Sequence, residues 1–130
     1  MNLFFDEDTG TGLPKAVKLL RLPSVEHVAY PGPAGPLPKG TSDPDWIEFA
    51  GSHGYLALSQ NRKILESDAE RQAVIDAQAG IVFVGTGQER SWLVMRLLLN
   101  QWLWLLETHE LVERPFAFHL LPRRRPVRLL

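Results

Sequence analysis

The amino-acid sequence predicts an α/β fold, in which a mostly parallel central sheet of four to five strands is covered by helices. Short apolar runs alternate along the chain with segments whose apolar residues recur at helical spacing. This alternation is typical of a parallel sheet with helices on both faces. A chain of 130 residues can bury one such core. We therefore expect a single domain over residues 1–130, with its core at 1–112 and a basic C-terminal segment at 113–130.

Apolar runs bounded by turn-forming residues predict the strands. The first run is followed by the acidic turn Asp6–Asp8, and the third leads into Ser59, Gln60 and Asn61. The predicted strands are Met1–Phe5, Ser24–Tyr30, Tyr55–Leu58, Ile81–Val84 and Phe116–Leu121.

The segments between these strands carry helix signals. Pro14 suits the first turn of a helix, and Ser42-Asp43-Pro44 predicts a helix start with Asp43 as the N-cap. The predicted helices are Leu13–Leu22, Pro44–Ser52, Glu66–Gln78 and Gln88–Val112. The last of these is apolar nearly all round and rich in tryptophan, so we expect it to be buried in the domain or in an interface with a partner.

The composition excludes several classes of protein. The chain has no cysteine, which excludes disulfides and thiolate metal sites. Its N-terminus has no basic segment and soon turns acidic, unlike a signal peptide. The longest apolar stretch, Trp92–Leu106, is interrupted by Arg96, Asn100 and Gln101, and it is too short and too polar to span a bilayer. We expect a soluble, cytoplasmic protein without a membrane segment.

The charges are distributed unevenly, although the net charge is only −1. Acidic residues cluster in Asp6–Asp8, and basic residues cluster in Arg123–Arg125 and Arg128. This asymmetry fits a metal site beside a surface that binds a polyanion. An ordinary acidic turn and a solvated basic tail are the alternative interpretation.

Acidic residues near the carboxyl ends of the predicted strands are candidate metal ligands, because sites in α/β sheets form at that edge. Asp6 directly follows the first strand, and Asp43 opens the helix before the third, with Asp45 ranked below it. Phosphodiester hydrolysis with Mg²⁺ or Mn²⁺ needs such oxygen ligands. Asp6 also suits a turn and Asp43 an N-cap, so each has a structural explanation as well. We expect Glu7 and Asp8 to point to solvent.

Motifs for other chemistries are absent. The four histidines show neither H-x-x-x-H nor H-E-x-x-H spacing. The chain has no G-x-x-x-x-G-K-[ST] phosphate loop and no G-x-S-x-G nucleophile motif.

Basic residues on either side of the candidate carboxylates are candidates for binding RNA phosphates. They are Lys15, Lys18, Arg62, Lys63, Arg123, Arg124 and Arg125. Solvated surface charges, or contact with an acidic partner protein, are the alternatives.

Three segments, FFDED, SDPDWIEFAG and GYLALSQNRKIL, resemble in their order the PIN-like domains related to VapC-type toxins. In that family a strand ends in Asp-Glu, an Asp opens a helix, and a later strand ends in Thr/Ser-x-Asp. The resemblance covers residues 2–85, with Asp6 and Asp43 at the first two carboxylate positions. Asn61 stands where the family has the Asp of Thr/Ser-x-Asp.

The resemblance implies a PIN-like three-layer fold and an endoribonuclease toxin that uses Mg²⁺ or Mn²⁺ and is neutralised by a cognate antitoxin. It assigns Asp6, Asp43 and position 61 to the catalytic metal site. Because Asn61 lacks the charge of Asp, we expect the activity of this chain to be low or absent.

Two other functions stay open. A non-catalytic PIN-like module would act through protein–protein interaction, and the helix at 88–112 would then contact a partner or form a homodimer. Asn61 favours this module, whereas Asp6 and Asp43 favour the nuclease. A phospho-acceptor domain would need an acceptor Asp after a central strand and a Lys after a later one, and neither is clear in the sequence.

Overall fold

The computed structural model describes residues 1–130 as a six-stranded sheet with helices on both faces. The strands are β1 (Leu3–Phe5), β2 (Val28–Ala29), β3 (Leu56–Ser59), β4 (Gly80–Val84), β5 (Phe116–Leu120) and β6 (Val127–Arg128). The helices are α1 (Gly12–Leu20), α2 (Asp43–Ser52), α3 (Asp68–Asp76), α4 (Ser91–Asn100) and α5 (Trp102–Leu111). Short 3-10 helices cover Glu7–Thr9 and Arg62–Glu66. The predicted α/β class, with a mostly parallel sheet covered by helices, is confirmed.

The order of strands in the sheet is β2-β1-β3-β4-β5-β6, in which the first five are parallel and β6 is antiparallel to β5. Parallel strands all end at the same side of the sheet, which we call the carboxyl edge. The residues that follow four of these strands, Asp6, Gln60, Gly85 and Leu121, therefore lie along one edge.

Side chains alternate along each strand between two cores, as the pleat requires. In β4, Val82 and Val84 belong to the core covered by α1, α4 and α5, whereas Ile81 and Phe83 belong to the core covered by α2 and α3. A strand that is buried on both faces is apolar throughout, which explains why the central strands are continuous apolar runs in the sequence. None of the helices has the length and apolarity that crossing a membrane requires.

The ends of the sheet differ from the prediction. The predicted strand Ser24–Tyr30 is reduced to Val28–Ala29, because Ser24 has a left-handed φ of 65° and only the last residues pair with β1. The strand β6 was not predicted, and it pairs Val127 and Arg128 with β5. The basic segment 113–130 therefore contains two strands of the sheet, β5 and β6.

Three predicted helices also have different bounds. The helix Gln88–Val112 is two helices, because Gln101 leaves the helical region at φ −111° and ψ 20°. The helix Glu66–Gln78 is shortened to α3, which begins after the extended Ser67 and follows a 3-10 helix. The first helix ends at Leu20 because Arg21 has a left-handed φ of 49°.

The contact between α2 and α3 depends on the absence of a side chain at Gly51. A Cβ there would lie 2.8 Å from the Cβ of Ala77 and would also overlap the carbonyl oxygen of Ala77. Because the backbone takes part in this overlap, we predict that Gly51→Ala lowers the free energy of unfolding by about 1–3 kcal/mol.

Gly12→Ala is the matched control for this prediction, since Gly12 lies in α1 with open space around its Cβ position. Alanine favours a helix over glycine by up to about 1 kcal/mol, so this variant should be at least as stable as the wild type. Urea unfolding measures both variants. Equal stability of the two would contradict the close packing of α2 on α3.

Candidate active site at the carboxyl edge

Asp6 is the first residue after β1, and its side chain is buried between β1 and β3. The residue is only 6% exposed. Its backbone N–H donates to the carbonyl oxygen of Leu58 at 2.9 Å, which continues the pairing of the two strands beyond Phe5. The hydroxyl group of Ser59 donates to Oδ2 of Asp6 at 2.9 Å. The sheet therefore fixes both the backbone and the carboxylate of Asp6.

Asp8 lies beside Asp6, contrary to the expectation that it points to solvent. The 3-10 turn Glu7–Thr9 brings its side chain back to the sheet, where Oδ1 accepts a hydrogen bond from the N–H of Gln60 at 3.3 Å. The residue remains exposed as a whole, but its carboxyl group is within hydrogen-bonding reach of Asp6. Two carboxyl groups from one turn therefore share the end of β1.

The turn that carries these carboxylates is held at both ends. The hydroxyl group of Thr9 donates to the carbonyl oxygen of Asp6 at 2.7 Å. Oε2 of Glu7 accepts a hydrogen bond from the N–H of Gly40 at 2.9 Å, so Glu7 does not simply point to solvent. Gly40 belongs to the long loop before α2. Glu7 thus ties this loop, and the start of α2, to the acidic turn.

Asp43 is the first residue of α2 and not its N-cap. Ser42 is the N-cap, and its Oγ accepts a hydrogen bond from the N–H of Asp45 at 3.4 Å. Oδ1 of Asp43 instead accepts the indole N–H of Trp46 at 2.9 Å, and Trp46 stacks on Phe4 of β1 with ring centroids 5.6 Å apart. A buried aromatic pair therefore positions Asp43. Asp45 is exposed.

Ser59 connects Asn61 to the carboxylates. The backbone N–H of Asn61 donates to Oγ of Ser59 at 3.0 Å, and the same hydroxyl group donates to Asp6. Asn61 itself is exposed and precedes the second 3-10 helix, with no hydrogen bond from its side chain to cap that helix. The backbone of Asn61 is therefore joined to Asp6 through the hydroxyl group of Ser59.

The carboxylates strongly perturb one another. Burial, followed by the charges of Asp8 and Asp43, raises the pKa of Asp6 from 3.8 to about 7, against the hydrogen bond from Ser59. Burial also raises the pKa of Asp8, and the hydrogen bond from Gln60 opposes this rise only in part. The charged groups that act most on Asp6 are all acidic. The site therefore concentrates negative charge that it does not neutralise itself.

This donor set fits a divalent cation held by few protein ligands. No group of three or more His, Cys, Asp or Glu side chains is arranged so that it could hold a metal ion, so at most two of these side chains would bind one cation. Mg²⁺ is commonly bound by one or two carboxylates and completes its shell with water and substrate phosphates. Asp6 and Asp8 supply two adjacent carboxyl groups, and Oδ2 of Asp43 is not used by Trp46.

The predicted RNA-binding residues fall into three groups in the structure. Lys15, Arg62 and Lys63 are exposed on the helices that follow the carboxyl ends of β1 and β3 in the chain. Lys18 lines a separate cavity with Arg21, Val28 and other residues of α1 and β2. Arg123, Arg124 and Arg125 are exposed in the turn between β5 and β6.

Thr9 is the feature of the sequence that could have indicated the position of Asp8 beside Asp6. Thr9 lies three residues after Asp6, and its side chain and N–H both bond to the carbonyl oxygen of Asp6. Threonine at this position favours a tight turn, and such a turn reverses the direction of the intervening side chains.

We predict a pH dependence of stability from the pKa of Asp6. In the unfolded chain Asp6 ionises near 3.8, whereas in the folded protein it keeps its proton up to about pH 7. The metal-free protein therefore loses stability as the pH rises through this window. Asp6→Asn removes the loss, and it should exceed the wild type in unfolding free energy by up to roughly 4 kcal/mol at pH 8 and by almost nothing at pH 4.

Urea unfolding in the presence of a chelator measures this difference. Asp45→Asn is the control, because it removes the same charge from an exposed position of α2. Its effect should change little between the two pH values. A wild type that is more stable than Asp6→Asn at pH 8 would contradict the desolvation of Asp6.

Comparison with known proteins assigns the chain to a family. The family model described as a PIN like domain matches residues 1–86, which include β1 to β4 and all the carboxylates described above. No curated protein and no solved structure matched the chain. Since the family model covers well over half of the 130 residues, the chain belongs to the PIN-like domain family.

Proposed function

We propose that this chain is a metal-dependent nuclease that cleaves RNA internally, with Mg²⁺ or Mn²⁺ bound at the end of β1. The observation that carries the proposal is the carboxyl group of Asp6, which is buried beside two other acidic groups. A bound cation would offset both the desolvation and the mutual repulsion of these groups. Membership of the PIN-like family supports a nuclease-type fold.

Each residue of the site has a distinct task in this proposal. Asp6 and Asp8 would hold the cation, and Ser59 fixes the orientation of Asp6 through the hydrogen bond to Oδ2. The indole N–H of Trp46 fixes Asp43 through Oδ1, and the negative charge of Asp43 adds to that of the site. When bound, the cation lowers the pKa of water and neutralises charge on the phosphate.

The basic residues nearest to the carboxylates orient the substrate. Lys15 lies on α1, and Arg62 and Lys63 lie on the 3-10 helix after β3, so they belong to the two helices that follow the strands carrying Asp6 and Ser59. Their exposed charges attract phosphates on either side of the scissile bond.

We further propose that the protein is a toxin of the VapC type, which acts in the cytoplasm and is neutralised by an antitoxin. The support is the order of the segments FFDED, SDPDWIEFAG and GYLALSQNRKIL. Asn61 weakens the activity, because it leaves the site one negative charge short of the family pattern. Asp8 supplies a carboxylate that partly offsets this deficit.

We predict that Asn61→Asp raises Mn²⁺-dependent cleavage of single-stranded RNA at least about 10-fold, since one well-placed ligand contributes at least 1.4 kcal/mol. Asp6→Asn should abolish cleavage in both backgrounds, and Asp45→Asn should leave it unchanged. Gel analysis of a labelled RNA with Mn²⁺, and with a chelator, measures these rates. The nuclease proposal fails if neither the wild type nor Asn61→Asp cleaves RNA.

A non-catalytic interaction module is the second candidate, and the exposed apolar residues of α4 and α5 favour it. Leu103 is 75% exposed, and Leu99 and Leu111 are exposed as well. Such a surface suits a homodimer or an antitoxin. In light scattering coupled to size-exclusion chromatography, a dimer that Leu103→Glu dissociates would support this surface, and a monomeric wild type would exclude the homodimer.

A further inference from the structure

A cavity of about 440 Å³ opens beside α4 at the carboxyl edge of the sheet. Its walls include Gly85 after β4 and Arg123 after β5, which face Arg96, Asn100 and Gln101 at the junction of α4 and α5. The volume lies within the range of roughly 300–1,000 Å³ that is typical of small-ligand sites. The break between α4 and α5 at Gln101 lies in this wall.

The cavity carries two guanidinium groups that are available to an anion. Arg96 and Arg123 both line it, and both are exposed. Glu89 also lines it, but its carboxylate accepts hydrogen bonds from the N–H groups of Thr86 and Gly87. Burial alone would raise the pKa of Glu89, but these bonds outweigh it and lower the pKa. The carboxylate of Glu89 is therefore hydrogen-bonded within its own turn.

Trp92 provides an exposed aromatic surface on α4, outside the cavity lining but one helical turn from Arg96. It is 61% exposed and lies one helical turn before Arg96, so the two side chains share a face of α4. The other two tryptophans of the long apolar segment make contacts within the protein. Trp102 donates a hydrogen bond to the carbonyl oxygen of Pro23, and Trp104 packs edge-on against Phe118. An exposed tryptophan beside arginine is the arrangement on which unpaired bases stack.

The turn after β4, which lines the cavity, packs against the turn after β3, which contacts the acidic site. A Cβ on Gly87 would lie 2.9 Å from the carbonyl oxygen of Gln60, so the turn after β4 packs against the turn after β3. Gln60 in turn donates its N–H to Asp8. A nucleic acid strand whose phosphate lies at the acidic site can therefore continue along the edge towards Arg96.

We propose that this cavity, together with Trp92 one helical turn from Arg96, binds a nucleotide of single-stranded RNA that flanks the cleaved bond. Arg96 and Arg123 hold its phosphate, and the base stacks on Trp92. The proposal rests on the proposed ribonuclease function, and it deepens that function by assigning a binding site to a nucleotide next to the cleaved bond.

Fluorescence anisotropy with a short labelled single-stranded RNA, in the presence of a chelator, tests the proposal without cleavage. The variant with both Arg96→Gln and Arg123→Gln should bind more weakly, and its slope of log Kd against log salt should be smaller by about 1. Trp92→Ala should raise the Kd about 5- to 100-fold, whereas Trp92→Phe should stay within about 3-fold of the wild type. The same RNA in a duplex should not respond to Trp92→Ala.

Arg71→Gln is the matched control, because Arg71 lies on α3, on the other face of the sheet. It should leave both the Kd and the salt slope unchanged. Equal binding by the wild type and the cavity variants, or an equal loss in Arg71→Gln, would overturn the cavity proposal while cleavage at Asp6 could still be observed. RNA binding that depends on the cavity, together with no cleavage by Asn61→Asp, would instead refute the ribonuclease and retain the binding site.

Discussion

Burial of the carboxyl group of Asp6 costs free energy, and the hydrogen bond from Ser59 offsets only part of that cost. The cost is imposed by the fold, because the backbone of Asp6 continues the pairing of β1 with β3 and cannot turn away from it. A protein without a use for this group would be more stable with an amide there. The acidic groups at this site therefore lower the free energy of unfolding, which is common at functional sites.

The surrounding residues hold the acidic groups together and place no basic side chain among them. Glu7 ties the long loop to the acidic turn, and the pair of Trp46 and Phe4 directs Asp43 to the same end of the sheet. The basic residues stay on the outside, where they can attract a polyanion to the edge. The turns after β4 and β5 line a cavity with Arg96 and Arg123, so basic groups lie farther along the same edge as the acidic ones.

The central strands and the position of Asp6 could be predicted from the sequence, because they depend on the pattern of apolar residues nearby in the chain. The central strands are buried on both faces, so their apolar runs were visible, and Asp6 was found because it directly follows such a run. The position of Asp8 depends on a tight turn and on a contact with Gln60, which is distant in sequence. The break at Gln101 has neither glycine nor proline to mark it, and β6 forms only because β5 offers it an edge. These features depend on tertiary contacts that no local pattern encodes.

The most direct test of the central claim is the number of protons released when Mn²⁺ binds, measured by titration calorimetry in buffers of different ionisation enthalpy. If the cation is held by the buried carboxyl group of Asp6, binding at pH 6 must displace its proton, because the pKa of Asp6 is about 7. We expect the wild type to release nearly one proton per ion at pH 6 and almost none at pH 8.5. Asp6→Asn should bind Mn²⁺ more weakly and should not show the release at pH 6. Binding of Mn²⁺ without proton release at pH 6, or equal binding by Asp6→Asn, would contradict the central claim.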